Sequence, residues 1–184
     1  MSYHSGNQLI DAHLLFEKCH LQAGMHVADF GAGRTGHLVF PASVIVGEKG
    51  LVYAVDILKD VLETIHKRAE MENILNVQTV WADIEKNVGV SIVPKTLDVV
   101  FMVNVLYHFE DYTTVLDEAV RLLKNKGRIV IVDWIKFLGG LGPKDGKFVN
   151  FVAVKNWARK TGLVIQEDDK ISDYHRFLVL YRHD

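Results

Sequence analysis

The sequence predicts an α/β fold with a doubly wound, mostly parallel sheet. Strand-like apolar runs alternate with helical segments along most of the chain, and this alternation implies right-handed crossovers between parallel strands. The segment Leu97–Val103 is almost wholly apolar, which is typical of a central strand covered on both faces. The last segments break the alternation and predict an antiparallel edge. In such sheets a ligand binds beyond the carboxyl ends of the strands, where the strand order reverses.

Five strands and three helices are predicted before the tail of the chain. The strands are Met25–Phe30, Gly50–Val55, Val77–Trp81, Leu97–Val103 and Arg128–Asp133. The helices are Gly36–Val46, a segment that begins at Leu58, and Tyr112–Leu123. The helix from Leu58 has apolar side chains at helical spacing and a charged opposite face. Pro41 should lie near the start of the first helix or kink it, and Lys126 and Gly127 should end the third.

The tail departs from this order. A helix is predicted over Lys147–Lys160, followed by strands over Leu163–Glu167 and Arg176–Arg182. Only the polar turn Asp168–Tyr174 separates those strands, so they should pair as an antiparallel hairpin on the edge of the sheet. The predicted sheet then has seven strands.

The composition indicates one globular domain over residues 1–184. Hydrophobic residues make up 49% of the chain, which is enough for a core that needs no disulfide or metal to support it. The net charge is -2 and no long basic run is present, which disfavours a nucleic-acid substrate.

Cysteine content and hydropathy give further expectations. Cys19 is the only cysteine, which excludes an internal disulfide and a cysteine-based metal cluster, and we expect no bound metal. The segment Met1–Ile10 is polar, and the apolar runs are shorter than the roughly 20 residues that span a bilayer. We therefore expect a cytoplasmic monomer or homodimer with no membrane span, in which Met1–His20 forms an amino-terminal helix or lid.

A glycine-rich turn follows the first predicted strand. Gly31, Gly33 and Gly36 match the pattern G-x-G-x-x-G between a strand and a helix, with Ala32 inside the turn. Glycines allow a tight turn and let backbone N–H groups approach a ligand closely. The pattern alone does not separate one nucleotide-like cofactor from another, and simple turn glycines are the alternative interpretation.

Asp29 narrows the choice of ligand at this turn. A dinucleotide would place its pyrophosphate here, and a carboxylate two residues before the first glycine would repel it. S-adenosylmethionine (SAM) instead carries an ammonium and a sulfonium, which a carboxylate attracts. Asp29 therefore favours SAM, with a turn-capping role as the alternative.

Acidic residues also follow the second and third predicted strands. Asp56 lies about 20 residues beyond the last glycine, where a carboxylate can accept hydrogen bonds from both ribose hydroxyls. Asp83 could accept a hydrogen bond from the adenine amine, with Ile57 and Ile84 packing on the ring faces. Helix capping by Asp56 and an ordinary surface turn at Asp83 are the alternatives.

Together these segments resemble the successive motifs of class I SAM-dependent methyltransferases. The matching residues are Val27–Gly33, Val52–Asp56 and Ala82–Asp83. The likeness is greatest to the small-molecule enzymes of ubiquinone and menaquinone biosynthesis, and it covers roughly Leu14 to Arg182. The resemblance implies a Rossmann-like, seven-stranded sheet that is mostly parallel with an antiparallel last strand.

The resemblance also relates the predicted site residues to parts of SAM. The glycine turn and Asp29 would hold the methionine part, Asp56 the ribose and Asp83 the adenine. Asn104, at the end of the fourth strand, would lie near the methyl group. The Asn/Asp-Pro-Pro-Tyr/Phe motif of enzymes that methylate amino groups in nucleic acids is absent, since Asn104–His108 occupies its place. Arsenic-methylating relatives use several cysteines, so both of these substrate classes are disfavoured.

His108 and Tyr107 adjoin the predicted methyl position. A histidine with an ordinary pKa of about 6.5 could deprotonate an acceptor hydroxyl or amine, and a purely structural role is the alternative. Asp133 and Trp134 end the fifth strand and are predicted to border the acceptor pocket. Trp134 could favour a cationic methyl group or simply pack. The other histidines are interpreted as surface residues.

The sequence thus predicts methyl transfer from SAM to a small-molecule acceptor by in-line displacement. A sulfonium is a good leaving group, so a dedicated base is optional. A catalytically silent SAM-binding module that acts as a partner or regulator is the alternative, and a nicotinamide dehydrogenase is disfavoured by Asp29 and by the hairpin tail. The loop Ile135–Gly146 and the segment Met1–His20 are expected to cover the pocket and shape its specificity.

Overall fold

The computed structural model describes residues 9–143 and 146–184, which form one sheet with helices on both faces. The strands are β1 (His26–Phe30), β2 (Leu51–Asp56), β3 (Val77–Trp81), β4 (Leu97–Val103), β5 (Leu123–Trp134), β6 (Leu163–Lys170) and β7 (His175–Arg182). The helices are α1 (Ala12–Lys18), α2 (Val39–Val46), α3 (Lys59–Met71), α4 (Thr113–Leu122) and α5 (Phe151–Lys160), with a short 3-10 helix at Leu106–His108. No helix in these two described ranges has the length and apolar character to cross a membrane.

The strand order places the crossover point of the sheet at its centre. The order is β3-β2-β1-β4-β5-β7-β6, and β1 pairs in parallel with β2 on one side and with β4 on the other. Phe30, the last residue of β1, pairs with Val55 of β2 and Met102 of β4. The carboxyl ends of these strands therefore meet where the strand order reverses, which is where ligands bind in this class of sheet.

The predicted hairpin is confirmed, and it is longer than expected. β7 runs antiparallel to both β5 and β6 and lies between them, so β6 is the edge strand. β6 continues to Lys170 rather than ending at Glu167. Asp168, predicted to begin the turn, instead binds Lys155 and Arg176 at 2.7 and 2.6 Å between nitrogen and oxygen atoms. These ion pairs keep the polar segment in the sheet.

The first and last predicted helices begin later than expected. The glycine turn occupies the residues before Val39, so α2 begins there, and Pro41 is its third residue, where a missing N–H breaks no helical hydrogen bond. α5 begins at Phe151 rather than Lys147. The side chain of Asn150 accepts a hydrogen bond from the N–H of Ala153 and caps that helix.

The end of α4 also differs from the prediction. The helix ends at Leu122, and β5 begins at once rather than at Arg128. Lys126 adopts the left-handed conformation with φ of 63°, while Gly127 does not. A Cβ at Gly127 would lie 2.7 Å from the side chain of Leu123, so the glycine is needed for space and not for its dihedral freedom.

The core lies on both faces of the sheet, as the apolar run of β4 predicts. Val100 and Met102 belong to one buried cluster with α4 and α5, while Val99 and Phe101 belong to a second cluster with α1 and α2. Phe16 of α1 packs edge-on against Phe101, with 5.7 Å between the ring centroids. The described part of the expected amino-terminal helix is therefore anchored in the core, and Met1–Gln8 lies outside the described residues.

Candidate active site

A cavity of about 600 Å³ opens at the carboxyl ends of the central strands. This volume is within the range of about 300–1,000 Å³ that is usual for cofactor and small-molecule sites. Its walls come from the glycine turn, from the segments that follow β2, β3 and β4, from the end of β5, and from the loop Gly140–Gly142.

The glycine turn forms one wall of the cavity. Gly31 and Gly33 both line it, with positive φ angles of 78° and 64° that favour glycine. A Cβ at Gly31 would lie 2.8 Å from the Val105 side chain, so the turn is packed closely against the segment after β4. Ala32 and Gly36 are not among the lining residues. A Cβ at Gly36 would meet the ring of Phe40 at 2.6 Å, which gives that glycine a packing role under α2.

Asp56 connects the glycine turn to the end of β2. One carboxylate oxygen accepts a hydrogen bond from the Gly33 N–H at 3.1 Å, and the other accepts from the Leu58 N–H at 3.0 Å. Leu58 is the N-cap residue of α3, so Asp56 does not cap that helix itself. A carboxylate has about four acceptor positions, and two of them are left for a ligand.

The residues after β3 form the far end of the same wall. Asp83, Ile84 and Ile57, which the sequence relates to an adenine site, all line the cavity. Asp83 also accepts a hydrogen bond from the Glu85 N–H at 3.1 Å and forms an ion pair with Lys86 at 3.3 Å. The turn role and the ligand role of Asp83 are therefore compatible.

Asp29 is buried and is not among the residues that line the cavity. Asp29 lies near the end of β1 and is 4% exposed. Its burial, and to a smaller extent the charge of Asp56, raise the pKa of its carboxyl to about 7. Removal of this carboxyl from water disfavours its charged form. A positive group nearby would restore the charge, so the position of Asp29 remains consistent with an ammonium partner.

The other half of the cavity is aromatic. Tyr107 and His108 lie on the 3-10 helix that follows β4, and their ring centroids are 4.0 Å apart. Burial lowers the pKa of His108, which favours the neutral imidazole, and raises the pKa of Tyr107. Asn104 lines the cavity at the start of this segment with φ of 55°, and its N–H donates to the carbonyl oxygen of Val132 at 2.8 Å.

Asp133 and Trp134 have different places in the site. Trp134 lines the cavity, as predicted, while Asp133 is fully buried and is not among the lining residues. The Asp133 carboxylate accepts hydrogen bonds from the N–H groups of Leu106, Tyr107 and Trp134 at 3.0, 3.3 and 2.9 Å. Burial raises the pKa of this carboxyl to about 7 against the effect of those donors and of the Val105 N–H.

His175 contradicts the interpretation of the remaining histidines as surface residues. It is fully buried, and its ring lies 4.1 Å from that of Trp134, its partner in the β5–β7 register. Burial lowers the pKa of His175 to about 4. The Ser172 hydroxyl oxygen accepts from two backbone N–H groups and lies 3.2 Å from His175 Nδ1, so its own hydrogen is available to that nitrogen. Nε2 then carries the ring hydrogen and has no partner among the described residues.

The sequence analysis did not identify several of the residues that line the cavity. Glu85, Val105, Phe109 and Leu141 line the cavity, and each lies within a few residues of a predicted site residue or in the predicted covering loop. Proximity to Asp83, Asn104 and His108 could have identified the first three. The loop Gly140–Gly142 lies close to the site because Gly142 packs on Trp134. A Cβ added at Gly142 would lie 2.9 Å from the indole ring.

Known proteins show the same fold and family. Residues 21–158 match the model of a family described as a methyltransferase domain. A probable cobalt-precorrin-6B C(15)-methyltransferase (decarboxylating) from Sulfurisphaera tokodaii is 31% identical over 118 residues, which are 64% of this chain and 58% of that relative.

Two solved structures share the architecture. A SAM-dependent methyltransferase from Aquifex aeolicus has a TM-score of 0.82 at 23% identity, covering 95% of this chain and 90% of the other. Phosphoethanolamine N-methyltransferase 2 from Haemonchus contortus, in complex with SAM, has a TM-score of 0.76 at 17% identity, covering 97% and 52%. The fold is therefore that of class I methyltransferases. The chain belongs to the family described as a methyltransferase domain.

Proposed function

We propose that the chain transfers the methyl group of SAM to an uncharged small-molecule acceptor by in-line displacement. The observation that carries this proposal is that one cavity joins the glycine turn and its carboxylates to the aromatic wall of Tyr107, His108 and Trp134. A donor and an acceptor held in one cavity can be aligned and shielded from water. Such alignment contributes roughly 7–11 kcal/mol in favourable cases.

The donor half of the cavity fits the parts of SAM in order. Asp56 has free acceptor positions for the ribose hydroxyls, and Asp83 has them for the adenine amine between Ile57 and Ile84. The methionine part would lie against Gly31 and Gly33, with Ala32 and Gly36 shaping the turn. The buried charge of Asp29, which does not line the cavity, would attract the ammonium group at a distance. Asn104, at the junction of the two halves, would lie beside the methyl group.

The charges around the cavity argue against an anionic acceptor. The described lining residues include Asp56, Asp83 and Glu85 but no lysine or arginine. A carboxylate or phosphate on the acceptor would find no cationic partner and would be repelled by these acids. Aromatic side chains instead favour a planar apolar acceptor with one reactive hydroxyl or amine.

His108 is the proposed base for that group. Burial keeps its imidazole neutral near pH 7, so it can accept a proton as the acceptor oxygen or nitrogen attacks the methyl carbon. The new bond forms from the acceptor lone pair, and the electrons of the carbon–sulfur bond return to sulfur, which leaves as the neutral thioether. Tyr107 would orient the acceptor beside His108.

Two measurements test this proposal. Calorimetric titrations should show binding of SAM and none of NAD, and NAD binding without SAM binding would refute a methyl-donor site. Transfer from methyl-labelled SAM is then measured across hydroxyl and amine aromatics, each paired with its carboxylated counterpart. We expect label only in uncharged members, and less with His108→Asn than with the exposed control His66→Asn on α3. SAM binding with no transfer would support the silent module, and preferred labelling of the carboxylates would exclude an uncharged acceptor.

A further inference from the structure

We propose that Asp133 is a positioning residue whose buried carboxylate sets the place of Tyr107 and His108 at the cavity. Asp133 does not line the cavity. Its effect on catalysis rests on the proposed function of those two side chains. The hydrogen-bond partners of Asp133, the few bonds within the turn that it holds, and the contrast with the buried Glu118 support this role.

The partners of Asp133 are backbone groups of the site. One carboxylate oxygen accepts from two successive N–H groups, those of Leu106 and Tyr107, and the other accepts from the N–H of Trp134. Asp133 forms no ion pair with any residue in the ranges 9–143 and 146–184. Arg176, its partner in the β5–β7 register, binds Asp168 instead.

The 3-10 helix has little support of its own. Its three residues are held by two internal backbone bonds, from the His108 N–H to Val105 and from the Phe109 N–H to Leu106, at 3.2 and 3.1 Å. Short 3-10 segments have poor hydrogen-bond geometry, so an outside acceptor strongly affects where they lie. The Asp133 carboxylate is this acceptor, and it connects the end of β5 to the turn after β4.

Glu118 shows what a structural buried carboxylate looks like in the same molecule. It is 3% exposed and accepts from the Val90 N–H at 2.9 Å, but its charge is balanced by Arg121 at 2.7 Å. Neither Glu118 nor Arg121 lines the cavity. Asp133 has no such cation among the described residues, so the cost of its burial is balanced by backbone N–H groups of the turn, of Val105 just before it and of Trp134.

The experiment compares Asp133→Asn with Glu118→Gln in the full chain labelled with ¹³C-histidine. An asparagine keeps the shape but turns an amide NH₂ group toward backbone donors that need an acceptor. We expect the His108 resonance and its titration midpoint to shift in Asp133→Asn and to stay unchanged in Glu118→Gln, even where both lower the unfolding temperature. The dissociation constant of SAM should stay within about twofold in both variants, because neither residue lines the cavity.

Unchanged His108 signals in Asp133→Asn, or an equal shift in Glu118→Gln, would overturn the inference. Should Asp133→Asn fail to fold, hydrogen exchange in the wild-type protein tests the inference instead. The amides of Leu106 and Tyr107 must be protected, and rapid exchange of both would overturn the inference. A wild-type protein that binds no SAM would instead refute the proposed function and leave these readouts of Asp133 intact.

Discussion

The proposed donor half of the cavity and the proposed acceptor half, which is the aromatic wall of Tyr107, His108 and Trp134, are built in different ways. The donor half consists of short segments that each follow their own strand: the glycine turn after β1, Asp56 at the end of β2 and Asp83 after β3. The acceptor half depends on contacts between segments that are distant in the sequence, such as Asp133 with Leu106 and Trp134 with His175. The residues of the donor half are placed by the strands that they follow, with the Gly33–Asp56 bond and the packing of Gly31 on Val105 as added contacts, whereas those of the acceptor half depend mainly on distant contacts. Substitutions should therefore affect the two halves to different extents.

The largest expected effect is at Gly31. Gly31→Ala adds a Cβ 2.8 Å from Val105 at a φ of 78°, so the turn must move and SAM affinity should fall. Methyl transfer should slow by about 100-fold, which a misplacement near 1 Å can cost. Gly24→Ala is the matched control, since Gly24 has a φ of 84° but no atom within 4 Å of the added Cβ. It should lose only about 1–3 kcal/mol of stability from strain. Calorimetry with SAM and urea unfolding separate the two effects, and equal SAM affinities would contradict the packed-turn model.

Asp56 should have the next largest effect. Asp56→Asn removes a charged acceptor that both ties the turn and is proposed to bind the ribose, and loss of about 1.5–3 kcal/mol corresponds to a roughly 10- to 100-fold weaker SAM complex. Asp60→Asn on the exposed surface of α3 is the control and should bind SAM normally. Should both variants bind equally, Asp56 would have no ligand role.

The pH dependence of SAM binding tests the place of Asp29. In the free protein the pKa of its carboxyl is about 7, so the group is largely protonated below that pH. Binding of an ammonium favours the ionised form, and SAM affinity should therefore fall as pH falls, by about tenfold from pH 8 to pH 6. Titrations in buffers of different ionisation enthalpy should show proton release on binding. Asp29→Asn should lose this dependence, and a dependence that persists in the variant would assign it to another group.

The smallest effect is expected at Arg34, although it lies inside the glycine motif. Its guanidinium pairs with Asp60 on the surface, where both side chains are at least half exposed. Exposed pairs contribute about 0–1 kcal/mol, so Arg34→Ala should change stability by less than about 1 kcal/mol and SAM affinity by only a few-fold. A loss as large as that of Asp56→Asn in the same calorimetric titration would mean that Arg34 touches the donor.

Much of the fold and of the donor half could be predicted from the sequence, for a common reason. Apolar runs locate the strands, and a side chain just past a strand lies at the edge where the parallel strands end, as Asp56 and Asp83 do. The ends of the helices were predicted less accurately because they depend on single contacts, such as the Asn150 cap of α5 and the tight packing of Gly127. The tail hairpin was predicted correctly, but its length was not, because the ion pairs of Asp168 with α5 and with the neighbouring strand β7 depend on how these elements pack.

The acceptor half could be predicted only in part. Tyr107, His108 and Trp134 were found because they follow strands. The burial of His175 was missed, since nothing local distinguishes this histidine from those on the surface. Its environment is set by the pairing of β7 with β5, which brings it against Trp134. The proposed role of Asp133 was not predicted either, because Asp133 lies in β5 and its partners Leu106 and Tyr107 lie in the segment after β4.

The contact between Trp134 and His175 also has an optical consequence. Trp134 is 1% exposed and lines the acceptor half, whereas Trp81 is 55% exposed on the edge strand β3. Buried indole emits at shorter wavelengths than hydrated indole, and a neighbouring imidazole quenches it more strongly once protonated. Trp157 on α5 is partly buried as well, so once it is replaced by phenylalanine the blue edge of the intrinsic fluorescence reports on Trp134, at the place where an acceptor would bind.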